Sequence, residues 1–262
     1  MDLQLSHRTV LVTGASSGVG LATTRMLLEE GANVAACARD LPRLRSAVSA
    51  LGDIDHERVH LHAGDVTDSE SMQEFARSTA ARFGGVDGVV CNAGRSLMAP
   101  LAETSDQQIR DEIELKIFGS LNVVRGAHTF LVDSPSASVV NVNAILAHQP
   151  ESRLAATSAA RAALLNLTHS MAADLAADDI RVNSVLLGLV DTGQWRKRFE
   201  ASDTTTDYRT WSADIATDRG IALGRFGTAE EVAFHIVTLL SPLSSYTTGT
   251  AIAVGGGISR YV

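Results

Sequence analysis

The chain has 262 residues, of which 45% are apolar, 20% charged and 5% aromatic, with a net charge of −8 and a pI near 5.4. Few aromatics and many small side chains suit helices packed closely on a parallel sheet. The acidic balance excludes the basic face a nucleic-acid binder needs, and no apolar run approaches the roughly 18–20 residues of a membrane span. No basic start or apolar leader core precedes the first strand, so a cytoplasmic protein is expected.

Short apolar runs alternate with helical stretches along the chain. Residues 10–13 read as a strand, 19–30 as a helix ended by Gly31, 34–38 as a strand and 41–51 as a helix. A strand follows at 59–63, then a helix at 69–83 with Asp68 as its N-cap. Residues 86–91 form a fourth strand and 106–130 one long helix. Residues 138–143 are strand, 154–177 helix, 181–187 strand, 228–240 helix and 251–254 the last strand. The strands are apolar throughout instead of alternating, which implies parallel strands buried on both faces. The expected fold is a single doubly wound α/β domain of about seven strands over 1–262. Cys37 and Cys91 lie in strand runs and read as buried thiols, forming neither a disulfide nor a metal framework. Residues 191–224 interrupt the rhythm with polar sequence carrying Trp195, Phe199, Tyr208 and Trp211, and are expected to form a lid over a site.

The strongest motif, Gly14-Ala15-Ser16-Ser17-Gly18-Val19-Gly20, falls between the first strand and the first helix. Gly14 permits a tight turn, Gly18 lets the backbone approach a pyrophosphate, and Gly20 allows close helix–strand packing. The helix N-terminus then offers amides and a positive dipole end to phosphates. An acid at the end of the second strand would bind a ribose 2′-hydroxyl, whereas a 2′-phosphate needs a cation. Here the strand ends in Ala38-Arg39, followed by Asp40. With Ser16 or Ser17 adding a hydroxyl, Arg39 points to NADP(H); the alternative is that Arg39 is a solvated surface charge.

This glycine spacing, with further positions in order, resembles the short-chain dehydrogenase/reductase family across nearly the whole chain. Asp65-Val66 matches the adenine-holding segment, and Asn92-Ala93-Gly94 the family's Asn-Asn-Ala-Gly. Gly188, Val190 and Thr192 match the nicotinamide-contacting loop. The resemblance implies a relay of Asn, Ser, Tyr and Lys, and each of these is replaced. Ala144 stands at Ser, Thr157 at Tyr, Arg161 at Lys and Glu114 at Asn. An aliphatic alcohol is a far weaker acid than a phenol, and a guanidinium does not exchange protons near neutrality, so Thr157 and Arg161 are poor proton donors. Arg161 still supplies a ribose contact, and an ion pair between Glu114 and Arg161 is expected.

Three residues offer substitutes. Asn143 can donate to a carbonyl or satisfy backbone at the strand end. His148 has a suitable pKa but sits in a loop, where most histidines are surface residues. Arg95 can hold a carboxylate or stabilise an oxyanion, or remain a rim charge. The function expected is an atypical NADP(H)-dependent oxidoreductase moving hydride to or from a small carbonyl, imine or activated alkene. Non-redox isomerisation or cyclisation, and a non-catalytic NADP(H) sensor or partner subunit, stay open. No metal, membrane or nucleic-acid partner is expected. The resemblance also implies a homotetramer or homodimer, through the helices at 106–130 and 154–177.

Overall fold

Pairing of the apolar runs gives one parallel sheet in the computed structural model, which describes residues 1–261. The strands are β1 (Thr9–Thr13), β2 (Asn33–Ala38), β3 (Val59–Ala63), β4 (Gly88–Cys91), β5 (Ser138–Ala144), β6 (Arg181–Leu187) and β7 (Ala251–Val254). Their order is β3-β2-β1-β4-β5-β6-β7. The chain reverses its winding between β1 and β4, and at such a switch point the carboxyl ends of the strands open a crevice for a ligand.

The pleat sends alternate residues to opposite faces. Val10 and Val12 meet helices α1 (Gly18–Glu29), α2 (Leu41–Ser49) and α9 (Ala229–Leu240) on one face. Leu11 and Ala35 meet α3 (Ser69–Phe83), α5 (Gly119–Val132) and α6 (Ala155–Asp174) on the other. Asp68 caps α3 as expected, accepting from the amides of Glu70 at 3.0 Å and Ser71 at 3.1 Å. Cys37 and Cys91 are buried, and burial pushes both thiols up to about 12.

The helix expected at 106–130 forms with one departure: α4 (Asp106–Ile113) continues through a π-turn at Glu114–Phe118 into α5. The wide turn buries Lys116 while Glu114 and Phe118 stay exposed. It also brings Gly119 against Val66, where an added Cβ would lie 2.9 Å from Val66 Cγ2. Residues 191–224 contain α7 (Gly193–Glu200) and α8 (Tyr208–Asp218). No helix among the described residues is long and apolar enough to cross a membrane.

Candidate active site

A cavity of about 860 Å³ runs along the carboxyl edge of the sheet, from the end of β2 across the switch point to α7. Its floor is the glycine loop. Gly14 and Gly18 have φ of +65° and +54°, values that favour glycine. A Cβ on Gly20 would come within 2.4 Å of both Gly14 O and Asn92 Nδ2, so that position excludes any side chain. Asn92 Nδ2 donates to Thr13 O (3.0 Å) and Gly14 O (3.1 Å), while Thr13 Oγ1 accepts from the amides of Asn92 and Ala93. These bonds tie the end of β4 to the loop and fix its shape. Ser17 makes no side-chain cap on α1, which leaves the first helical amides to a ligand.

Arg39 lines the far end of the cavity, exposed and in no ion pair among the described residues. Its acidic neighbour Asp40 is occupied: the carboxylate caps α2, accepting from Arg43 N at 2.9 Å. Arg43 lines the same end and is a second cation that sequence reasoning missed. Asp65 and Val66 border the pocket beyond it. The Asp65 carboxyl is held below its ordinary value, chiefly by the Thr67 amide at 3.0 Å and with help from the Thr67 hydroxyl at 2.8 Å. Ser16, Val19, Ala93, Gly94, Gly188, Val190 and Thr192 also line the cavity. A Cβ on Gly18 would touch Thr192 Cγ2 at 3.3 Å, so loop and β6 exit face each other closely.

At the other end, Ala144, Lys116 and Arg161 line the cavity together. Arg161 Nη1 reaches Val142 O at a long 3.5 Å, and its Nε is buried with no hydrogen-bond partner. Such an orphaned donor fits a polar ligand group. Burial lowers the Arg161 pKa to about 10, with Glu112 opposing, so the guanidinium stays charged at neutral pH. Lys116 Nζ donates to Glu112 Oε2 at 2.8 Å and to Arg95 O at 3.1 Å, with the lysine and glutamate side chains 3% and 2% exposed. Burial, then the positive charge of Arg161, overcomes the bond to Glu112 and lowers the Lys116 pKa to about 8.

The residues proposed from sequence divide sharply. Glu114 lines the rim but forms no ion pair among the described residues; the acid facing Arg161 is Glu112, two places earlier. The π-turn is the reason, because it turns Lys116 inward and leaves Glu114 in solvent. Thr157 is fully buried away from the cavity, bonding Glu112 Oε2 and accepting from Leu97 N at 3.0 Å. Asn143 also points away, donating to Arg161 O at 3.0 Å and accepting from Ala144 N at 2.9 Å. It satisfies backbone at the strand end. His148 is an exposed residue against Tyr261, with ring centroids 4.3 Å apart, and does not line the cavity. Arg95 is exposed at the rim. Sequence reasoning missed Lys116 and Glu112, although the signal was present. They stand four apart with the acid N-terminal, and Lys116 is one of two lysines in a chain with 22 basic residues.

Trp195 of α7 closes the outer wall. Phe199, Tyr208 and Trp211 do not reach the cavity; they pack on one another at centroid distances of 5.4–5.9 Å and brace α7 against α8. Tyr208 Oη donates to Asp191 Oδ1 at 2.5 Å, anchoring that pair to the segment after β6.

Comparison with known proteins agrees with this architecture. The family model described as short chain dehydrogenase matches residues 8–203. Cis-4-hydroxycyclohexanecarboxylate dehydrogenase of Sinomonas cyclohexanicum is 36% identical, covering 98% of both chains. The NADPH-bound short chain oxidoreductase of Pseudomonas aeruginosa, described as containing an atypical catalytic center, is 44% identical with a TM-score of 0.93, over 98% of this chain and 99% of that one. L-sorbose reductase of Gluconobacter frateurii, solved with NADPH and L-sorbose, is 29% identical over the full length of both, also with a TM-score of 0.93. The chain belongs to the short-chain dehydrogenase/reductase family.

Proposed function

We propose that the protein is an NADP(H)-dependent oxidoreductase that reduces a small carbonyl compound, or an imine or activated alkene. The observation that carries this reading is the continuity of one cavity from Arg39 and Arg43, past the glycine loop, to Arg161 and Lys116. The glycine cradle and α1 amides hold the pyrophosphate, and Arg39 with Arg43 grips the 2′-phosphate by charge and guanidinium geometry. Arg161, with its orphaned Nε, binds the ribose at the nicotinamide end. Bound NADPH supplies a hydride, two electrons with one hydrogen nucleus, to an electrophilic carbon. The helical pair at 191–224 acts as the lid, with Trp195 facing the substrate.

The substrate class has a first candidate in the Sinomonas relative, whose name denotes oxidation of a hydroxycyclohexane carboxylic acid. The matching ketone, 4-oxocyclohexanecarboxylate, is the probe to use first, because Arg95 and Trp195 both line the cavity and offer a cation and an apolar wall. NADPH oxidation would be followed with this ketone and with simple cyclic and open-chain ketones, imines and enones, and NADH would serve as the comparison. Turnover with NADPH in clear preference to NADH supports the reading. NADPH binding without turnover on any of them favours the sensor reading, for which the absence of a hydrogen-bonding side chain at Ala144 speaks.

A further inference from the structure

We propose that Lys116 is the proton donor of this reaction centre, with Glu112 and Thr157 as the positioning residues that hold it. The assignment rests on the oxidoreductase reading above. Beside Ala144 and Arg161 it is the buried side chain able to fill the role; the other lysine, Lys197, also lines the cavity but stands exposed on α7. Ala144 has no proton to give, Arg161 stays charged, and Thr157, Asn143 and His148 do not line the cavity. The Lys116 ammonium has three N–H bonds. Glu112 Oε2 takes one and Arg95 O another, and the third has no protein acceptor among the described residues. That third N–H belongs to a side chain that lines the cavity beside Arg161.

The chain invests in this arrangement. Twenty of its 22 basic residues are arginine, a group that does not exchange protons near neutrality, and one of the two lysines is buried here. The π-turn that aims Lys116 inward is a feature concentrated at functional sites. Thr157 bonds the same Glu112 oxygen that receives Lys116, and Thr157 is itself fixed by the Leu97 amide. The order Leu97–Thr157–Glu112–Lys116 is a scaffold that ends at the ammonium. The charged groups facing Lys116 are Glu112 on α4, Arg95 on the segment after β4 and Arg161 on α6.

The step balances as follows. The hydride forms a C–H bond at the carbonyl carbon, and the C=O π pair moves to oxygen. The oxygen takes a proton from Lys116 as the N–H bond breaks, its electrons remaining on nitrogen. The carbonyl is reduced to an alcohol, the dihydronicotinamide is oxidised, and the neutral amine regains a proton from water. In alcohol oxidation the neutral amine accepts the proton instead.

With two lysines, selective ¹⁵N-lysine labelling of the full chain yields two Nζ signals, and the exposed Lys197 is the internal reference. Titrated without and with NADPH, Lys116 is expected to lose its proton near pH 8, below the ~10.4 of an ordinary lysine. Lys116→Arg keeps the charge and removes the exchangeable proton, and Lys116→Gln is the smaller variant should the guanidinium not fit. In a folded variant that binds NADPH by fluorescence, ketone reduction falls by roughly 10²–10⁴-fold and loses its decline above pH 8. Titration of Lys116 at the ordinary lysine value, or undiminished turnover in either folded variant, overturns the assignment while leaving the redox reading intact. A wild-type protein that passes hydride to no acceptor overturns both.

Discussion

Lys116 Nζ lies 2.8 Å from Glu112 Oε2, one helical turn back on the same helix, and water reaches almost none of either side chain. A buried pair of this kind gains little net stability over an apolar pair, since taking two charges from water costs several kcal/mol each. Its retention inside a cavity that also holds Arg161 fits a chemical use better than a structural one. Burial, and after it the positive charge of Arg161 and Arg95 against Glu112, keeps the lysine poised to give up a proton.

Removing one partner leaves the other stranded. Glu112→Ala is expected to destabilise the fold by about 3–5 kcal/mol, and Glu112→Gln by less, because the amide still accepts from Lys116. Urea unfolding at pH 7 reads both values. Equal stability of Glu112→Ala and wild type would mean the pair is open to solvent.

The lysine also sets a pH dependence. Its folded pKa, about 8, lies below the ~10.4 of an unfolded chain, so the unfolded state binds more protons between those limits. Stability therefore rises with pH across about 8 to 10.4, and the penalty of burying the ammonium is fully present below 8. Lys116→Met lacks that rise. The difference between the two unfolding profiles isolates it from other groups that titrate in alkali.

Cofactor choice is expected to depend on Arg39. A hydrogen bond to a charged group contributes about 1.5–3 kcal/mol, so Arg39→Ala weakens NADPH binding roughly 10- to 100-fold and leaves NADH nearly unchanged. Asp40→Ala tests the counter-argument. Its carboxylate caps α2, so the substitution lowers stability by about 1 kcal/mol without creating or removing NADP(H) preference. Calorimetric titration with both nucleotides separates these outcomes.

The α7–α8 pair is anchored at Tyr208, whose hydroxyl bonds Asp191 and is pushed up to about 12 by burial and that bond. Tyr208→Phe frees α7 and α8 to move. KM is expected to rise severalfold with a smaller change in kcat, since no reacting atom is touched. A fall in kcat alone would place Tyr208 in the chemistry instead.

Much of this was legible in the chain itself. The sequence located β3, α3, β6 and β7 at their observed bounds, β7 as an apolar run and α3 as a capped amphipathic helix. The glycine loop was legible because each glycine answers a local steric demand. The reaction centre was harder. Whether Glu114 or Lys116 is turned inward depends on a π-turn, which no local pattern in the sequence encodes. Thr157 was placed at its aligned position, yet its hydroxyl faces Glu112 and not the cavity. Of the four aromatic residues noted in 191–224, Phe199, Tyr208 and Trp211 bind the two helices together.

The central claim is hydride transfer. The measurement that tests it most directly uses NADPH deuterated at the reactive face of C4, incubated with the purified protein and an extract of its source cells, with products read by mass spectrometry. Deuterium on carbon in one metabolite, absent when Lys116→Gln or no protein is added, is the result predicted, and it names the substrate. NADPH bound but every metabolite unlabelled would contradict the account and leave non-redox chemistry or cofactor sensing on this scaffold.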